Sequence, residues 1–242
     1  MKTFHCIIVL LVFQHCYSQE LDIFQNDSVY RRNNVAVRTM YSVNGSKLQK
    51  EMVTHYNGAG QKTKQYWYWN GEKHYHNVEL FSYSKEGQLA TLVDSFATGK
   101  IEITTFYYDD NHHLYKRVTL NKKDTTDVRT YPDRSTTIHS WYTAGKPYRC
   151  DTSIFETETA KLDFRGVDNM LIPGNPSYWH YTFKNEFDDK RNLVKVAADV
   201  WNPYQPFKRY IYDERGLLIK KQEVILSNKI EKIQMEYRFK YD

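Results

Sequence analysis

Cysteine is nearly missing from this chain: there are three in 242 residues, at positions 6, 16 and 150. With so few, a disulfide-stapled mini-domain is excluded, and any fold must be held by buried area and backbone pairing. Proline is also scarce. All six lie at or after Pro132, so nothing in the first half is barred from a sheet ladder. Charge of one sign is lacking too. Lys and Arg number 34 against 29 acids, interspersed along the chain, for a formal net charge of +5. A nucleic-acid binder would show a basic stripe or block.

Long apolar runs are absent apart from one. Cys6–Phe13 follows Lys2 and is too short to cross a bilayer, which takes about 20 residues as a helix. It has the form of a secretion signal, with cleavage expected after Ser18. A lipid anchor on Cys16 is disfavoured, because Phe13, Gln14 and His15 are not the small residues such processing requires. Residues 1–18 are therefore read as a signal peptide and 19–34 as a polar N-terminal arm. Residues 35–242 form one repeat domain in a secreted or periplasmic protein. Cys150 is then the sole remaining cysteine, a small apolar strand residue rather than a nucleophile.

What the chain has in abundance is tyrosine, with 21 copies. The stretch Tyr210–Lys221 shows how it is used. An aromatic ends a strand, polar residues follow, then Gly216, then Leu218. The same spacing joins Tyr83, Gly87 and Leu89. It recurs from Tyr108 to Leu114 and from Phe187 to Leu193, with His112 and Arg191 in the glycine position. Glycine reaches positive φ without a Cβ clash, as a tight hairpin or bulge needs. Where it is missing, Asn111 and Asn192 are expected to carry the turn. Three Asn-Gly pairs at 44–45, 57–58 and 70–71 add hairpin signals at equal spacing. Asp109-Asp110, Asp188-Asp189 and His112-His113 occupy turn slots, where aspartate caps backbone rather than doing acid–base work.

The fold class is all-β: an antiparallel meander of hairpin repeats forming an extended twisted sheet or open half-barrel. Ile230–Tyr241 alternates cleanly and reads as a charged edge strand. Residues 156–177, broken by Gly166, Pro173-Gly174 and Pro176, read as an irregular insertion. No amphipathic helix is expected.

The copies at Tyr212-Asp213-Glu214-Arg215-Gly216 and Tyr108-Asp109-Asp110 resemble the YD repeat of RHS-type and teneurin-like proteins. Tyr68-Trp69-Asn70-Gly71-Glu72-Lys73 is similar to MORN-like hairpins. The resemblance implies a sheet repeat of a bacterial envelope or secreted protein and carries no catalytic residue. RHS shells enclose a toxin with many more repeats than this chain has.

The richest cluster of side chains is Gln65–His76. A two-residue turn at Asn70-Gly71 would place Trp67, Trp69, Glu72, His74 and His76 on one face. Trp67, Trp69 and Glu72 are the candidate ligand-binding residues, the tryptophans stacking on a sugar ring. His74 and His76, two apart on a strand, are the candidate metal ligands. The alternative is ordinary cross-strand packing. No catalytic motif, cofactor site or nucleic-acid surface is legible. The expected role is a non-enzymatic binding or structural module for an envelope protein or glycan. The alternatives are an open-barrel carrier of an apolar ligand and a secreted hydrolase.

Overall fold

In a computed structural model the described residues are 27–69, 72–133, 135–156, 161–168, 177–198, 204–227 and 230–242. The signal-peptide reading, most of the arm, and the 70–71 and 173–176 turns lie outside them.

Among the described residues one short helix, α1 (Asp27–Arg32), precedes sixteen strands. These are β1 (Val37–Asn44), β2 (Lys47–Tyr56), β3 (Lys62–Trp67), β4 (Asn77–Tyr83), β5 (Leu89–Phe96), β6 (Ile101–Tyr108), β7 (Leu114–Asn121) and β8 (Asp124–Thr130). They continue with β9 (Thr136–Thr143), β10 (Lys146–Glu156), β11 (Lys161–Asp168), β12 (Ser177–Phe187), β13 (Leu193–Ala198), β14 (Tyr204–Tyr212), β15 (Leu218–Ser227) and β16 (Ile230–Tyr241). Each pairs antiparallel with its chain neighbours, the meander the turns predict.

The all-β antiparallel meander is as expected, and its two ends meet: β1 pairs with β16, with Arg38 opposite Tyr241 and Met40 opposite Phe239, so the ring of strands closes. β16 is accordingly no edge. The stretch 156–177 is not one irregular insertion, because β11 lies within it and pairs with both β10 and β12. Gly166, read as a breaker, sits inside that strand opposite Asp151 and Trp179. The arm also contains α1, too short to show a helical period.

The turns at the α1 end share one chemistry. Asn57, Ser84, Asp109, Asp133, Asp188 and Asp213 each turn a side-chain oxygen back onto two following backbone N–H groups. Three residues past the cap, in five of the six, the backbone is left-handed: Gly60, Gly87, His112, Arg191 and Gly216 have φ of 80°, 81°, 62°, 64° and 83°. So the left-handed residue at 57–60 is Gly60, and Asn57 is a cap rather than half of a two-residue turn. His112 and Arg191, not the neighbouring asparagines, bear the strain where glycine is absent.

Each motif tyrosine then ties two repeats together. The hydroxyls of Tyr83, Tyr108, Tyr212 and Tyr241 donate to the carbonyls of Lys62, Leu89, Leu193 and Leu218. Each acceptor opens the strand after the previous turn. Burial raises the pKa of Tyr108, Tyr212 and Tyr241, which keeps these phenols protonated as donors.

Candidate functional site

Residues directly opposite one another in an antiparallel pair share a face. Following the register around the ring separates the two faces. One carries Thr54, Gln65, Glu79, Asp94, Glu102 and Asn121 in a continuous row. A second row on the same face carries Arg117, Arg129, His139 and Asp151. This face is the inside: Arg38, Thr54, Gln65, Asn77, Thr104, Thr119, Asp151, Asn185 and Lys208 are all buried. The other face carries rows such as Leu80, Val93, Ile103 and Leu120, or Val118 and Val128. Leu80, Ile101 and Ile103 are between 43% and 49% exposed. The usual polarity is reversed over much of the wall, with polar groups enclosed and apolar ones outward.

Buried polar groups survive only when they are hydrogen-bonded. Here the rows supply their own partners. Thr54 donates to Gln65 at 2.9 Å, and Gln65 donates to Glu79 at 2.8 Å. Asn77 donates to Asp94 at 2.8 Å, and the Thr104 and Thr119 hydroxyls meet at 2.8 Å. Burial raises the Asp94 pKa, and the nearby Glu102 charge adds to it.

On β8–β10 the His139 ring nitrogen Nε2 lies 2.7 Å from the Asp127 carboxylate. Burial drives the His139 pKa down to about 4, so the ring is neutral at pH 7 and donates. Burial pushes Asp127 up, but the His139 hydrogen bond and the Arg117 and Arg129 charges outweigh it and hold the carboxyl below its ordinary value. This His–Asp pair went unseen in the sequence because its members sit twelve residues apart on neighbouring strands. Among the described residues no serine, threonine or cysteine is seen hydrogen-bonded to this pair. The adjacent Ser140 bonds Cys150, its register partner on the opposite face.

At one end of the ring α1 packs against Tyr56 and Tyr241. Tyr30 is 2% exposed, stacks on Tyr56 at 4.4 Å and accepts a hydrogen bond from Arg38. The opposite end holds a cavity of about 700 Å3, lined by residues that include Trp67, Tyr68, Trp69 and Tyr237 together with Glu51 and Glu79.

The expected hairpin at Gln65–His76 forms in a different register. Trp67 pairs with Asn77 and Gln65 with Glu79, which is not the register that a two-residue turn at 70–71 would set. Trp67 and Trp69 do come together in the cavity wall, and the His76 ring stacks on Trp69 at 4.0 Å with the planes 13° apart. Glu72 and His74 do not join them; both are exposed loop residues. His74 and His76 are therefore not strand residues sharing a face. Among the described residues no three His, Cys, Asp or Glu side chains gather as a metal requires. The lining residues Glu51, Glu79 and Tyr237 were missed, since only closure brings β2, β4 and β16 to one mouth.

No family model matches the chain, and no curated protein matches it. Among solved structures it is similar to a porin-like protein from Bacteroides uniformis, at 12% identity and a TM-score of 0.52. That match covers 86% of this chain and 98% of the other. It establishes a shared fold. It also overlaps a TcdB2–TccC3–Cdc42 complex (TM-score 0.35, 10% identity, 80% of this chain) and a Tc holotoxin pore of Photorhabdus luminescens (TM-score 0.31, 13% identity, 76% of this chain). This chain spans 12% of each of those two, and likeness at that level bears on neither fold nor function. No helix among the described residues is long and apolar enough to cross a membrane.

Proposed function

We propose that this protein is a non-enzymatic binding module of the bacterial envelope, a closed β-barrel that takes a ligand into its aromatic mouth. The observation that carries this reading is the cavity itself. Its volume of about 700 Å3 falls within the roughly 300–1,000 Å3 of small-molecule sites. Among the described residues four aromatic rings line it beside seven polar or charged side chains, and at the far end Tyr30 packs into a small apolar cluster. The resemblance to YD and MORN-like repeats fits an exported sheet protein of this kind. An apolar-ligand carrier fits less well, because the enclosed face is polar. Among the described residues no nucleophile is hydrogen-bonded to the His139–Asp127 pair, which disfavours a hydrolase.

Tryptophan emission tests the reading. Titrating a panel of small glycans and amines should shift or quench the signal of Trp67 and Trp69 saturably. Trp67→Ala and Trp69→Ala should each weaken that response about tenfold or more, on the scale of one lost stacking contact. A panel that leaves the emission unchanged throughout overturns it.

A second reading rests on the outward apolar rows of β4–β8. A closed ladder leaves no unpaired backbone edge, which is what a bilayer demands of a β-structure. Lipid against that part of the wall would account for its reversed polarity.

A further inference from the structure

We propose that the ligand of the mouth is an organic cation, a molecule or side chain bearing a substituted ammonium group. This inference rests on the binding reading above and specifies its chemistry.

The whole chain carries a formal charge of +5, yet among the described residues the charged side chains lining the cavity are Glu51 and Glu79. The row that begins at Glu79 continues inward to Asp94 and Glu102, so carboxylates back that wall. An anion would be repelled by these carboxylates, and a neutral sugar would gain hydrogen bonds from them but no charge attraction. A cation gains from both the carboxylates and the rings. The π-face of tryptophan or tyrosine attracts a cation lying within about 6 Å of its centroid. Such contacts already exist at this rim, where the Lys50 Nζ lies 3.8 Å over the Tyr68 ring. Trp69 is the best-placed acceptor. His76 covers one face of its indole, and the side chain remains 60% exposed. An ammonium seated between Trp69 and Glu79 would meet a ring face and a carboxylate together, the pairing by which quaternary ammonium groups are recognised.

Tetramethylammonium, N-acetylglucosamine and acetate, each titrated calorimetrically into the intact protein, give the test. The expected result is saturable binding of tetramethylammonium that weakens as salt rises, with acetate inert. Trp69→Ala and Glu79→Gln should each reduce the affinity about tenfold or more. Because Glu79 accepts from Gln65 at 2.8 Å, its replacement could disturb the interior. Glu51→Gln is the second variant, with far-UV circular dichroism confirming the fold, and it too should bind the cation more weakly. Binding of N-acetylglucosamine that ignores both glutamate substitutions overturns the cation inference and leaves the binding module standing. Tetramethylammonium binding that is undiminished in both glutamate variants also overturns it. If none of the three probes, nor the wider glycan and amine panel, binds at the mouth, both fall.

Discussion

His139 ties the stability of the fold to pH. Its pKa falls from 6.5 to about 4 in the fold, chiefly through burial. The unfolded chain therefore binds the proton more readily. Stability attached to this ring is present above pH 6.5 and is lost as pH falls from there toward 4. The shift corresponds to at most about 3 kcal/mol. Asp94 works in the opposite direction, since its raised pKa lets the folded state take up a proton earlier on acidification. We expect the urea midpoint to drop between pH 6.5 and 4.5, and His139→Gln to flatten that slope. An unchanged slope in the variant would show that the ring is not the titrating group. None of this could be read from Asp127 and His139 as letters, because nothing marks them as neighbours until β8 and β9 pair.

At the scale of the element, the repeat is held by its turn and by its tyrosine. The hydroxyl of Tyr212 reaches the Leu193 carbonyl at 3.0 Å and so links the 213–217 turn to the one before it. Tyr212→Phe keeps the ring and removes only that bond. It should cost about 1 kcal/mol, seen as a lower denaturant midpoint with an unchanged m-value. No loss would mean that water replaces the bond. The element scale is also where the sequence was most informative. Polar cap, left-handed residue and leucine recur at fixed offsets because each hairpin solves the same backbone problem. The failures are equally physical. Trp67 pairs with Asn77 rather than with His74, a register that the Asn70-Gly71 signal alone could not fix. β11 was hidden because a glycine inside a strand looks like punctuation.

For the whole molecule the decisive feature is closure. Without the β1–β16 ladder the polar rows would lie on an open surface, and Glu51, Trp67 and Tyr237 would not share a mouth. The outer wall varies around the ring. On β13–β16 it carries Lys195, Arg209, Lys220 and Arg238, each paired with a glutamate. The lipid reading therefore concerns the apolar arc of β4–β8. The protein should float with neutral phosphatidylcholine vesicles in a density gradient, and Ile103→Glu or Val93→Glu should reduce the floated fraction severalfold, since each places a carboxylate on that arc. A protein that stays at the bottom of the gradient as a detergent-free monomer sinks the lipid reading.

The sequence by itself determined that the chain runs as short antiparallel strands, and where most of them reverse. Period-two alternation and turn-capping residues act within a few positions of one another, so they are readable in one dimension. Only the tertiary structure decided which face each strand hides. Alternation reports that two faces differ and is silent on which one turns inward. That choice, together with the meeting of β1 and β16, arises from contacts some two hundred residues apart, and it made a polar interior with an aromatic mouth.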